Sequence, residues 1–506
     1  MPTRPCCACR LRCTSSPLPP NTPCSAEDTT MTRDTSPPAR RDFLRRSLAA
    51  IAGGSAFFAA PRSLSLLNAA WAQSAPAGDD FKALVCVFLL GGNDGHNLVV
   101  PRSDAEYALY ANRRRGLAIP RSALLPITPL EPTGPALGLH PAVPELQQLF
   151  EGGRLALLAN VGALLEPVTR KQYDQRLARL PPQLFSHNDQ QDFWQSLESR
   201  SPVDTTPASG WGGRIADLLH ASSNPDATIA MNLSLGGANP WQVGRSTAAL
   251  AVDAGEIRSL VNERDPQAVA ELEAILALPH ASLLVEEYRR TLGGAVEDYR
   301  VLRDALALAP TLATPFPSAP EPGAPAADRF AFALGRQLRR VAELVSVRNA
   351  LGLRRQVFFC SLGGFDTHDA QMADQPELLA GLARALHAFD AATIELGVAN
   401  DVTTFTATEF GRSLTSNGDG SDHAWGNHLF LLGGAVRGRR VYGAMPDMSA
   451  GSDDFAGDGN LIPRIAVDQY GATLGRWFGV PDAMLDLVFP NLAAFDQRDI
   501  GFMQPG

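Results

Sequence analysis

The feature that most constrains this chain is a nearly continuous apolar run, Phe81 to Leu90 (FKALVCVFLL), stopped by Gly91-Gly92. A run of that length, rich in Val and Leu, predicts a strand of a parallel sheet buried on both faces. Leu155 to Val161 (LALLANV), Gln356 to Leu362 (QVFFCSL) and Val402 to Thr408 (VTTFTAT) read the same way. Helical periodicity runs through Pro144–Phe150, Asn188–Leu197, Ile257–Leu278, Ala281–Leu308, Arg329–Asn349 and Pro376–Leu396. Strands alternating with helices predict an α/β fold, a mostly parallel central sheet flanked by helices, as a single domain over residues 80–500. Pro310 to Ala327 is Pro- and Ala-rich without periodicity. It reads as a surface connection that closes a helical insertion of about residues 250–327.

The front of the chain carries a different signal. Arg40-Arg41-Asp42-Phe43-Leu44-Arg45-Arg46 precedes a moderately apolar run, Leu48 to Ala60, of 13 residues. That is short of the roughly 20 residues a membrane span needs. With the small-x-small site Ala70-Trp71-Ala72, it predicts a twin-arginine export signal over residues 31–72 and a periplasmic or secreted product. Residues 1–30, Pro- and Cys-rich, are expected to be absent from the mature chain, whether as an over-called start or as a Cys-rich leader. Removing residues 1–72 takes away nine arginines and four acids, so the net charge of −9 becomes −14. So acidic a chain argues against nucleic acid and anionic membranes as partners, and no stable membrane insertion is expected.

Composition narrows the chemistry further. Only Lys82 and Lys171 are lysines, which leaves little room for Schiff-base or Walker-type phosphate chemistry. Five of the seven cysteines lie in the first 24 residues; Cys86 and Cys360, in expected buried strands, read as free thiols, the alternative being a disulfide between them. There is no Gly-x-Ser-x-Gly elbow, no Gly-x-Gly-x-x-Gly fingerprint and no His-Glu-x-x-His pair.

In open α/β sheets ligands collect past the carboxyl ends of strands, so the residues there carry the functional reading. The first strand is followed by Gly91-Gly92-Asn93-Asp94-Gly95-His96-Asn97, and the third by Gly363-Gly364-Phe365-Asp366-Thr367-His368. The fourth leads into Glu409-Phe410-Gly411-Arg412, and Asp422-His423-Ala424-Trp425-Gly426-Asn427-His428 follows. Asp94, Asp366, His368, Glu409, Asp422, His423 and His428 together predict a site for one or two divalent cations. Mixed carboxylate and imidazole ligation without thiolate favours Zn²⁺ or Mn²⁺. Ser186, ahead of His187-Asn188-Asp189-Gln190-Gln191, reads either as a helix N-cap or as a nucleophile at a positive helix end.

The motifs GGNDGHN, LFSHNDQQ, SLGGFDTH, TEFGR, SDHAWGNH and FPNL, with the twin-arginine leader, resemble the exported bacterial family catalogued as domain of unknown function 1501. They run from about residue 84 to 492. That family is grouped with the alkaline phosphatase and sulfatase superfamily. The resemblance implies an alkaline phosphatase-like three-layer sandwich with a one- or two-metal hydrolytic site. On it, Asp94 corresponds to the metal-binding acid after the first strand, and Ser186 to the nucleophile. Asp366 and His368 resemble the acid/His pair of one metal, Asp422-His423 the superfamily's Asp-His pair, and His428 its final histidine. The Asp-His pair usually follows a strand directly, whereas here Glu409 holds that place. The formylglycine pattern Cys/Ser-x-Pro-x-Arg occurs only as Ser36-x-Pro38-x-Arg40, in the leader. The expectation is a metal-dependent hydrolase of a phosphate or sulfate ester, a small anionic substrate. In it, His187 would bind substrate or move a proton and Arg412 would clamp the anion. The alternative is a non-catalytic periplasmic metal-binding or scaffold protein partnering another exported protein.

Overall fold

The computed structural model describes residues 80–132, 134–199, 209–255, 265–457 and 459–505. The arginine pair, the apolar run at 48–60 and the Ala70–Ala72 site lie outside these, as does the start of the helical pattern expected from Ile257.

One sheet is formed by β1 (Lys82–Leu90), β2 (Leu155–Gly162), β3 (Asn232–Ser234), β4 (Leu250–Ala251), β5 (Arg355–Gly363), β6 (Val402–Ala407), β7 (Asn427–Leu432), β8 (Val441–Tyr442) and β9 (Ile465–Ala466). The order is β8-β2-β7-β6-β1-β5-β3-β4, with β9 on the far end of β2. Within this sheet, among the described residues, only β7 runs against its neighbours; the sheet's other pairings are parallel. The four apolar runs are β1, β2, β5 and β6, within a residue of the expected limits. β7 is a difference. Asn427 and His428, expected among the site residues, begin a buried central strand that the four apolar residues after them complete.

The helices are α1 (Asp104–Arg114), α2 (Pro144–Glu151), α3 (His187–Ser196), α4 (Trp211–Ser223), α5 (Pro266–Ala277), α6 (Leu283–Leu306), α7 (Ala326–Ser346), α8 (Gln371–Glu395) and α9 (Val467–Phe478). The central residues of β1 are buried throughout, so both faces of the sheet are covered. On one face α3, α4 and α9 supply Trp194, Trp211 and Tyr470, which meet Phe88 and Phe405 at ring separations of 5.6–6.0 Å. Over the other, α2, α7 and α8 pack together, and Gln337 of α7 hydrogen-bonds both backbone groups of Ser361 in β5. The result is a three-layer α/β fold, with α5 and α6 between β4 and α7 in the chain. No described helix is long and apolar enough to cross a membrane.

α8 starts at Gln371, a turn before the expected Pro376. The extra turn is held from outside the helix: Gln371 donates to the Asp94 carboxylate, and Gln375 Nε2 donates to the Asp94 carbonyl at 2.9 Å. Tertiary hydrogen bonds thus extend a helix that its own sequence would begin at the proline.

Candidate metal centre

The carboxyl ends of β1, β5 and β6 lie side by side, because β1 pairs with both of the others in parallel register. Gly91 (φ 116°) and Gly92 (φ 83°) turn the chain sharply after β1. A Cβ on Gly91 would sit 2.4 Å from the Asp366 backbone nitrogen, and one on Gly92 2.4 Å from the Phe410 ring. Only glycine lets the loops after β5 and β6 approach so closely. After β6 the chain makes a hairpin, Arg412–Ser416 against Ser421–His423, in which Arg412 faces His423. Asp422-His423 leaves the strand end and returns to it, beside Glu409.

Three imidazoles converge on Asp366. Its Oδ1 lies 3.2 Å from His368 Nε2 and 3.2 Å from His423 Nε2, and its Oδ2 lies 3.4 Å from His187 Nε2. The ligand atoms of His187, Asp366 and His423 all fall within 4.8 Å of one another. His368 adds its Nε2 at 2.8 Å from that of His423. Each ring is anchored at the opposite nitrogen by a different acceptor. His187 Nδ1 faces Glu409 Oε1 at 2.9 Å, His423 Nδ1 donates to the Phe185 carbonyl at 2.7 Å, and His368 Nδ1 faces Asp422 Oδ1 at 3.3 Å. For His187 and His423 an acceptor at Nδ1 keeps the proton there and leaves the Nε2 lone pair pointing inward, the arrangement that metal-binding histidines show.

The donor set fits a cation in part: the nitrogen–oxygen edges suit one, while His368 and His423 bring their Nε2 atoms to 2.8 Å, closer than two ligands of one ion. Ligands about 2.0–2.1 Å from a tetrahedral Zn²⁺ are separated from one another by roughly 3.3 Å. The nitrogen–oxygen separations of 3.2–3.4 Å match that edge. The electrostatics agree. Burial raises the Asp366 carboxyl, but the hydrogen bond and charge of Arg412, then His423 and His187, outweigh it and hold it at about 2. Burial lowers His423 and favours the neutral, ligating form. The hydrogen bond to Glu409 raises His187. Burial works against ionised Glu409, yet bonds from His187, Gln191 and the Gly91 backbone keep its pKa below the ordinary value.

The expected residues divide. Asp366, His368 and His423 come together. Glu409 and Asp422 are present too, but their carboxylates bond the outer nitrogens of His187 and His368. Asp94 stands elsewhere. It N-caps the turn Gly95–Leu98, and its oxygens are taken by Arg114, Gln371 and the backbone of His96 and Asn97, so the acid expected to bind metal is the counter-ion of a buried arginine. His428 also lies elsewhere, buried in β7 with Nδ1 accepting from the Asn160 backbone at 3.1 Å.

Arg412, expected to clamp an anion, is itself fully buried. It donates to the carbonyls of Gly92, Ser421, Phe365 and Gly91 and to Asp366, so its donors join three loops instead of facing a ligand. Ser186 occupies the N-cap position of α3 without capping it, and its hydroxyl donates to Asp189 Oδ2 at 2.6 Å. His187 is the residue whose place the sequence missed. It had been expected to serve substrate, and it sits among the atoms able to hold a cation. Nothing in LFSHNDQQ announces that, because the helix start meets the strand ends only through the fold.

Among solved structures, the chain is similar to a PsFucS1 sulfatase from Pseudoalteromonas sp. at 10% identity, over 88% of this chain and 77% of that one, with a TM-score of 0.35. It is similar to Ps i-CgsB in complex with k-i-k-neocarrahexaose at 9% identity, over 83% and 77%, with a TM-score of 0.35. It is also similar to a 2-O GAG sulfatase at 10% identity, over 80% and 72%, with a TM-score of 0.28. No curated protein matches. The family described as Protein of unknown function (DUF1501) matches residues 81–480, and the chain belongs to that family.

Proposed function

We propose that this protein is an exported, metal-dependent hydrolase of a phosphate or sulfate ester. The observation that carries the reading is the convergence of three Nε2 atoms and one carboxylate at the ends of β1, β5 and β6, each ring fixed from behind. His187, Asp366 and His423 would hold the cation, with His368 beside them; the donor set suits Zn²⁺ or Mn²⁺. A cation there would supply Lewis acidity and neutralise charge on the transferred group.

The chain's own groups would do the rest. Ser186 adjoins His187 in sequence, and Asp189 orients its hydroxyl and can accept its proton. The N-terminus of α3, which no side chain caps, favours an anion beside them. Arg412 acts indirectly, by holding Asp366 ionised. The purified protein, supplied with Zn²⁺ or Mn²⁺, should cleave an aryl phosphate or an aryl sulfate, and Ser186→Ala should abolish turnover while leaving metal binding intact. Turnover undiminished in Ser186→Ala removes the nucleophile, and no turnover with either metal removes the hydrolase.

One observation favours the second reading, a non-catalytic metal-binding partner of another exported protein. Every donor nitrogen of Arg412 is engaged internally, leaving it no part in gripping an anion. Protein recovered from its own periplasm with no bound metal, or with a coordinatively closed one, would favour that reading.

A further inference from the structure

The loop after β1 and the start of β7 meet in a buried group of polar side chains that the proposed site does not use. Asn93, His96, Asn160 and His428 are each at most 2% exposed. Six of their polar atoms have no partner among the described residues: Asn93 Oδ1 and Nδ2, both ring nitrogens of His96, Asn160 Oδ1 and His428 Nε2. The residues are neighbours. The His96 and His428 rings stand edge to face at 5.8 Å, the Asn160 backbone bonds His428, and Asn427 Nδ2 donates to the Asn93 carbonyl at 2.7 Å. An unsatisfied buried polar atom costs about 1–3 kcal/mol, so six together would offset most of a domain's stability.

The local backbone decides what can satisfy them. The pairing of β7 with β2 slips by one residue, from Asn427 opposite Val161 to Leu429 opposite Leu158. Asn160 takes the left-handed conformation there (φ 59°), which turns its N–H onto His428 Nδ1 at 3.1 Å. Burial keeps His428 neutral, with its pKa lowered to about 3. A neutral ring that accepts at Nδ1 carries its proton on Nε2. His428 therefore presents a donor inward, with no lone pair there for a cation.

We propose that Asn93, His96, Asn160 and His428 form a buried chamber that binds fixed water molecules, with His428 Nε2 donating to one of them. A buried water makes about three hydrogen bonds, so six orphan atoms call for at least two waters. The chamber adjoins the loop that carries Glu409, since Asn93 N donates to Thr408 Oγ1 at 3.2 Å. Water there would brace the loop without entering the reaction. A second cation at His428 is excluded on this account.

Crystals of the full chain grown with Zn²⁺, at a resolution that shows ordered water, with anomalous data at the zinc edge, test this directly. The expected result is two or more waters within hydrogen-bonding reach of His428 Nε2, His96 and Asn93, with no anomalous peak among them. A zinc peak on His428 or His96, or direct side-chain bonds closing the chamber without water, overturns it. The peak expected beside Asp366 is read separately; its absence would count against the proposed function and leave the chamber standing. In solution, long-range ¹⁵N–¹H correlation should find His428 protonated at Nε2, and a proton on Nδ1 instead contradicts the inference.

Discussion

Asp94 and Asp366 enter the fold by the same local device. Each stands two residues past a glycine pair, Gly91-Gly92 and Gly363-Gly364, at the end of one of two adjacent parallel strands. Their fates differ. The Asp94 side chain is wholly buried against Arg114, whose Nε and Nη1 go on to Asn97 and to the Ser413 carbonyl. The Asp366 side chain is 46% exposed and lies beside three imidazoles. A carboxylate becomes a ligand when the lone pairs around it face a shared, accessible space. Matched to a buried guanidinium, it becomes a pin.

The largest expected effect tests the pin. Asp94→Ala leaves Arg114 buried without its counter-ion and should cost about 3–5 kcal/mol in urea unfolding. Asp366→Ala should cost less, since the Asp366 side chain is 46% exposed and Arg412 keeps four backbone carbonyls, and should lose metal binding. If the two variants unfold alike, the contrast between the two aspartates fails.

Acidification comes next. The folded-state pKa of His96 and of His428 is about 3, below the ordinary 6.5 of the unfolded chain. The unfolded state therefore takes up protons first, so this stability is complete above pH 6.5 and falls as pH drops toward 3. The limiting slope is about 1.4 kcal/mol per pH unit for each ring. Metal-free protein followed by chemical denaturation should weaken between pH 6.5 and 5.5; a flat profile would mean the two rings are already charged in the fold.

Smaller effects sharpen the metal side. Glu409 is buried and holds His187, so Glu409→Ala should weaken metal binding about 10–100-fold. Asp422 is 65% exposed and only 3.3 Å from His368, so Asp422→Asn should fall at or below the lower end of that range. Competitive titration with a chromophoric chelator ranks the two, and the reverse order would contradict the roles given to their carboxylates.

The central strands were legible in the sequence because a strand buried on both faces must be continuously apolar. β7 was not, because the polar Asn427 and His428 at its start shorten its apolar run to Leu429–Leu432. In the site, Asp366, His368 and His423 were legible from their place past strand ends. The placing of Asp94 was not, since its partner Arg114 lies 20 residues on, in a helix with no pattern marking it as buried. His187 needed the packing of α3 against the loops, which no local spacing encodes.

The most direct test is a metal titration of the apo full chain, followed by calorimetry with Zn²⁺ and with Mn²⁺. The account predicts one tight equivalent per chain, lost in His187→Ala and in His423→Ala and retained in His428→Gln. No binding, or binding that survives both of the first two substitutions, would contradict it.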